Sequence, residues 1–273
     1  MVPDRRKNDV DVRDVVRTVT SNNLITASGI EKLSLKARKM LYIAISQCRR
    51  NDKEFYTYEI TVKDFAHLMG VAESNVYREA DRITDELMAG FIQYREPQNK
   101  YFKKYQLFAT CEYNHRGSVI FELNDQMAAF LLNLKKDFSQ PLLLDFMKMR
   151  SPYSMAIWHL IQREMKSRKP GISQEIKFFL DLEELRAVTG TQNKLKQVGQ
   201  FKERVFDKAL REIYENCGVS IEYENAKRGR KIVGFQCNAR STFFVPEEEI
   251  TSETKEKVKM FKEAQNSDMR FQF

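Results

Sequence analysis

The chain has 273 residues, 42% of them hydrophobic, with 46 Lys and Arg against 38 Asp and Glu and a formal charge of +8. That length supports one large core or two ordinary ones of roughly 100–150 residues each, and a modest cationic excess acts on a polyanion only where it is clustered. No apolar run approaches the ~18 residues of a membrane span, no signal-peptide pattern opens the chain, and Cys48, Cys111, Cys217 and Cys237 form no C-x-x-C pair. The expectation is a reduced cytoplasmic protein without a zinc ribbon or membrane anchor.

Residues 1–22 mix Arg5, Arg6 and Lys7 with Asp4, Asp9, Asp11 and Asp14 and hold no period, which predicts a flexible N-terminal arm. Ser34 is placed to cap a helix in which Ala37, Met40, Leu41, Ala44 and Ile45 recur at helical spacing. A β-prone run leads into Thr61-Val-Lys-Asp64, a short-armed capping box whose helix carries Phe65, Leu68 and Met69 and stops at Gly70. A second cap at Ser74 opens a helix with Val76, Ala80, Ile83, Leu87 and Met88 on its buried side. Strand-like residues 91–94, 104–111 and 118–123 follow, and helix, helix-turn-helix and wing in that order make a winged helix. Helical spacing from Met127 to Met149 predicts the join between two domains.

The second half repeats the plan. Ser151-Pro152 starts a helix with Met155, Ile157, Trp158, Leu160 and Ile161. Residues 181–190 align without gaps on 61–70, with Leu182 opposite Val62, Leu185 opposite Phe65, Val188 opposite Leu68 and Gly190 opposite Gly70. Each half is therefore expected to be one helix-turn-helix with one wing. Between residues 200 and 214, Phe201, Val205, Phe206, Ala209, Leu210 and Ile213 form a core face, and Gln200, Arg204 and Arg211 a cationic one. Residues 219–223 and 231–236 read as strands around Lys227-Arg228-Gly229-Arg230. The expected fold class is α+β: an arm over 1–22, two tandem winged-helix domains over 23–147 and 148–245 related by internal duplication, and a charged tail over 246–273.

A positive helix beside a positive hairpin suits duplex nucleic acid. Arg204 can bind guanine bidentately and Gln200 can pair with adenine, provided phosphate contacts hold the helix in the groove. Lys196 and Lys202 lie at the helix start, where the dipole favours phosphate, and Lys202 faces the apolar flank, which assigns it to the backbone. Arg211 extends the cationic face, and Lys227, Arg228, Arg230 and Lys231 suit a wing laid along the duplex. The competing account of the helix is a merely solvated face, diluted by Glu203 and Asp207. In the first domain Ser74, Asn75 and Arg78 hold the equivalent positions. The wing there offers Lys100, Lys103 and Lys104 among Tyr101, Phe102 and Tyr105, whereas Glu79, Asp81, Asp85 and Glu86 weaken its helix as a reader. His67, His115 and His159 are isolated, and neither a His-x-His pair nor a G-x-x-x-x-G-K-[ST] loop is present. No enzymatic activity, metal or cofactor is expected.

Lys148-Met-Arg-Ser-Pro-Tyr-Ser154 with Ile157-Trp158-His-Leu160, the runs 201–213 and 221–232, Asn23-Leu-Ile-Thr-Ala27 and the helix at 33–46 together resemble the plasmid replication initiators built from two winged helices. The resemblance spans residues 23–240. It implies a protein that binds direct repeats (iterons) in a plasmid origin as double-stranded DNA, helps open the duplex and recruits host replication proteins, namely helicase and initiator. It also implies a homodimer, in equilibrium with monomer, that represses its own promoter. Ala156 stands where the family usually has Arg, Lys208 where Pro is common and Tyr214 where Asn is usual. The absence of that proline predicts a straighter helix. A winged-helix transcriptional repressor with no origin role is the alternative; direct repeats beside an AT-rich tract in the neighbouring DNA would separate the two.

Overall fold

A computed structural model describes residues 5–6, 17–48, 52–96, 101–114, 117–171 and 173–242. The tail expected over 246–273 lies outside the described residues, as does most of the arm before Arg17. In chain order the first half comprises β1 (Arg5–Arg6), β2 (Thr20–Ser21), α1 (Asn22–Thr26), α2 (Leu35–Ser46), β3 (Thr57–Thr61), α3 (Val62–Met69), α4 (Val76–Met88), β4 (Phe91–Glu96), β5 (Tyr101–Gln106), β6 (Phe108–Asn114) and β7 (Ser118–Leu123). Then come α5 (Ala128–Leu131), β8 (Phe138–Ser139), α6 (Leu143–Lys148) and α7 (Pro152–Glu164). The second half holds β9 (Glu175–Asp181), α8 (Leu182–Thr189), α9 (Val198–Phe201), α10 (Asp207–Cys217), β10 (Val219–Arg228) and β11 (Lys231–Ser241).

Helix ends form where side chains can satisfy their free amides. Ser34 Oγ accepts from the Ala37 amide at 3.3 Å, and Thr61 Oγ1 accepts from the Asp64 amide at 3.1 Å while its hydroxyl donates to the Asp64 carboxylate at 2.7 Å. Gly70 and Gly190 both stop their helices in the left-handed region, at φ 63° and 64°, which carries the sequence repeat into backbone geometry. Ser74, by contrast, caps nothing. It lies in a 3-10 turn (Glu73–Asn75), and α4 starts at Val76 without a side-chain cap.

The repeat is also topological. In the first domain the strand before the helix-turn-helix pairs with the last strand, in the order β3-β7-β6; in the second the order is β9-β11-β10. The single strand expected over 104–111 is instead broken at its middle. Leu107 and Phe108 are both fully buried, and adjacent residues of one strand point to opposite faces, so the chain bends to bury both. The wing is therefore β6–β7, and β4–β5 is a separate two-stranded hairpin with no counterpart among the described residues of the second domain.

Within the expected flexible arm, Arg5–Arg6 pairs in parallel with β3, and the described chain resumes at Arg17 as structured backbone. β2 pairs with β8, the Thr18 amide donates to the Pro141 carbonyl at 2.9 Å, and Thr18 and Thr20 are fully buried. These pairings satisfy the backbone and bring Leu24 and Ile25 into the core. α7 is buried all round from Ser154 to Gln162 because it packs on both winged helices, so one continuous core runs through the described chain. Ala156 faces this interdomain seam, beside a cavity of about 20 Å³ that Arg38 and Val188 also line, room for roughly one water molecule.

His159 locks the seam. Its Nδ1 lies 2.9 Å from the Tyr42 hydroxyl on α2 and its Nε2 lies 2.9 Å from Thr20 Oγ1 on β2. Burial, reinforced by the Arg163 charge, holds its pKa down to about 3. The unfolded chain therefore takes up a proton that the folded chain refuses, and the stability this neutral imidazole supplies is complete above about pH 6.5 and lost as pH falls toward 3. Melting temperature should drop between pH 7 and pH 4, and by less in His159→Gln; an equal drop in both would contradict the assignment.

Candidate nucleic-acid interface

Asp181 anchors the second helix-turn-helix: its Oδ1 accepts from the amides of Glu183 at 2.8 Å and Glu184 at 2.9 Å, fixing the start of α8. The chain then turns through residues 190–197 into one continuous helix made of α9, a π-helical stretch (Lys202–Phe206) and α10. Phe201, Val205, Phe206, Ala209, Leu210 and Ile213 are buried and Gln200, Arg204 and Arg211 are exposed, as the spacing predicts. The helix is not regular, however, despite Lys208 in place of proline. Its buried residues Phe201, Val205, Ala209, Ile213 and Cys217 step by four, and a plain α-helix would rotate that stripe by about 40° at each step. The wider π-turns absorb part of the drift, so both ends of the helix stay on the core while the opposite face stays outward.

The helix is tied to the wing by aromatic packing. Phe206 stacks on Phe235, with centroids 4.5 Å apart and planes 16° apart, and meets Tyr223 edge-on at 4.9 Å. The Tyr223 hydroxyl donates to Asp207 at 2.5 Å, and burial followed by that carboxylate pushes the phenol pKa up. Asp207 is thus drawn to the hairpin. Lys202 points the same way, its ammonium 4.9 Å above the Tyr223 ring and 3.4 Å from Asn225 Oδ1. It occupies the junction of helix and wing. Lys196 is exposed in the turn just before α9.

The wing tip is tighter than its sequence implies. Arg228 pairs directly with Lys231, leaving Gly229 and Arg230 as a two-residue turn, and Gly229 at φ 61° fits the first central position of a type II′ turn. A register shift between Ala226 and Lys227 marks a bulge, which adds local twist. Gly234 is required lower down, because a Cβ there would lie 2.4 Å from the Leu180 carbonyl oxygen. Lys227, Arg228, Arg230 and Lys231 are all exposed, and among the described residues no ion pair neutralises them. Like charges directly opposite on a hairpin repel, so the Arg228–Lys231 pair favours an anion laid across it.

The first domain presents a different face. Ser74, Asn75 and Arg78 are exposed together at the start of α4, with Arg78 Nη2 3.5 Å from Asn75 Oδ1. Two of the four acids expected to spoil this helix are turned away. Glu79 accepts from Lys36 at 2.7 Å and Arg82 at 3.3 Å, and the Lys36 bond leads in holding its pKa below the usual range. Glu86 accepts from Ser34 on α2. Tyr77, which the apolar spacing passed over, is 64% exposed and lies edge-on to Tyr113 of the wing at 5.4 Å. Lys103 and Lys104 belong to the β4–β5 hairpin, not the wing. Each lies 4.7 Å over a ring, of Tyr105 and Phe91 respectively. Lys100 lies outside the described residues.

Two helix-turn-helix units, backed by a four-stranded sheet in the first domain and a three-stranded sheet in the second and joined by one buried helix, define a tandem winged-helix protein. Residues 17–162 match the family model described as "Initiator Replication protein, WH1", and residues 181–237 match "Initiator Rep protein, WH2". The chain belongs to this family of Rep replication initiators. Among solved structures it is similar to the Pi initiator protein, crystallised in complex with iteron DNA, with a TM-score of 0.70 and 18% identity over 83% of this chain and 98% of that one. That likeness concerns the fold. Among the described residues no helix is long and apolar enough to cross a membrane.

Proposed function

We propose that this chain initiates replication of a plasmid by binding direct repeats in its origin as double-stranded DNA. The observation that carries the reading is the exposed Gln200, Arg204 and Arg211 face on a helix tied through Lys202 to a wing whose tip cations form no ion pair among the described residues, in a chain of the Rep family. The Pi protein's binding of iteron DNA supports it. The α9–α10 helix enters the major groove and reads base edges, while Lys196, Lys202 and the wing tip hold phosphates. Ser74, Asn75 and Arg78, exposed at the start of α4, make a second, lesser contact.

Within this reading the protein works in the cytoplasm without cofactor or catalysis, promotes origin opening, recruits host helicase and initiator, and represses its own promoter as a dimer. β7 lies inside its sheet and offers no edge; β5 and β6 are edge strands of the first domain and could pair with a second copy. The test is selection from a random-sequence duplex pool, followed by a search for the enriched motif in the plasmid that carries the gene. Direct repeats of the motif beside an AT-rich tract, protected from nuclease by the protein, are the expected result. A single inverted site at the promoter and none elsewhere would favour the repressor.

A further inference from the structure

We propose that Arg186 is the positioning residue for the DNA-reading helix, a role that rests on the reading above and extends it to a residue whose guanidinium is bonded within the protein. The guanidinium lies within the turn that joins α8 to α9. Nη1 donates to the carbonyls of Thr191 at 3.3 Å and Lys194 at 3.1 Å, and Nη2 donates to those of Leu195 at 2.9 Å and Lys196 at 3.1 Å. Its central carbon also lies 5.0 Å from the ring centroid of Phe201, the first buried residue of the helix. One side chain thus gathers four carbonyls of the turn and stacks on the helix that the turn delivers.

The turn needs this. α9 has no side-chain cap, and Leu195 sits at φ 48°, a left-handed conformation that a leucine adopts only when its surroundings hold it there. The internal repeat supplies the comparison. Arg186 aligns with Ala66, and the two occupy equivalent places: the Thr191 amide donates to the Arg186 carbonyl at 2.9 Å as the Val71 amide donates to that of Ala66 at 3.0 Å. The first domain passes from Gly70 through Val71 and Ala72 straight into a 3-10 turn and α4. The second domain instead inserts the longer stretch 191–197 before α9. An extended turn carries Lys194 and Lys196 toward the duplex, and it holds its shape through the planar five-donor fork that only arginine provides.

Arg186→Lys keeps the charge but has three donors on one nitrogen and no plane to stack. The probes are a duplex that the wild-type chain enriches from a random pool and a scrambled duplex of the same composition. Affinity for the enriched duplex should fall by about tenfold, with affinity for the scrambled duplex and the salt dependence unchanged. Amides of residues 194–201 should exchange with solvent faster, while those of α7 do not. Glu184→Gln serves as a structural control, since it breaks the Arg163–Glu184 pair (2.6 Å and 2.7 Å) elsewhere in the domain; it should lower the melting temperature and leave the enriched-to-scrambled ratio intact. Arg186→Gln replaces the lysine variant if that one fails to fold. An Arg186 variant that keeps the ratio, or that weakens both duplexes alike, overturns the proposal. A wild-type chain with no preference between the probes overturns the DNA-reading assignment itself.

Discussion

Raising the salt from about 50 to about 200 mM should weaken the protein's grip on duplex DNA by roughly a thousandfold. Lys196, Arg204, Arg211, Lys227, Arg228, Arg230 and Lys231 are exposed on one helix-and-wing surface, with Lys202 half-buried at their junction. If six or more of these neutralise phosphates, log K falls against log salt with a slope of about −5 or steeper. The net charge of +8 alone does not demand this, because 38 acidic residues are spread through the same chain; the slope tests clustering. Fluorescence anisotropy of a labelled duplex across a salt series reads it directly, and a slope near −1 would contradict the interface.

Phe206→Ala should cost about 3–5 kcal/mol of stability. The ring is fully buried, lies in the π-helical stretch, stacks on Phe235 and meets Tyr223 edge-on. Its loss leaves a cavity where the α9–α10 helix meets the wing, so the midpoint of urea unfolding should shift to lower urea at nearly constant slope. Since one core runs through both domains, a single cooperative transition is expected in both proteins. A cost below about 1 kcal/mol would mean that helix and wing are not held together by this contact.

Periodic apolar residues made the second domain legible. Phe201, Val205, Phe206, Ala209, Leu210 and Ile213 were readable as one buried face because burial selects side chains at the helical repeat, and all six are buried. Gly70 and Gly190 were readable as stops because a left-handed cap tolerates few other residues. What escaped depends on contacts far apart in sequence. Thr18 and Thr20 look like arm residues until the Pro141 carbonyl takes the Thr18 amide and the strand at Phe138–Ser139 pairs with Thr20. The break between β5 and β6 is visible only once Leu107 and Phe108 are known to be buried together. Glu79 and Glu86 counted against the first reading helix because nothing local shows that Lys36 and Ser34 claim them. The π-helical stretch was hidden because its cause is the fit of a whole stripe to the core and not any single residue. Arg186 left no trace, because the repeat shares little beyond its apolar spacing and final glycine and nothing local shows that the turn at 191–196 wraps around this side chain.

The central claim is that the helix beginning at Val198 reads bases while the wing holds phosphates, and the most direct measurement compares Arg204→Ala with Lys227→Ala on the enriched and scrambled duplexes at two salt concentrations. Arg204→Ala should cost about 1–3 kcal/mol on the enriched duplex and little on the scrambled one. Lys227→Ala should weaken both alike and reduce the salt slope by about one unit. Equal weakening of both duplexes by Arg204→Ala would contradict the claim and shift sequence reading to Ser74, Asn75 and Arg78 of the first domain.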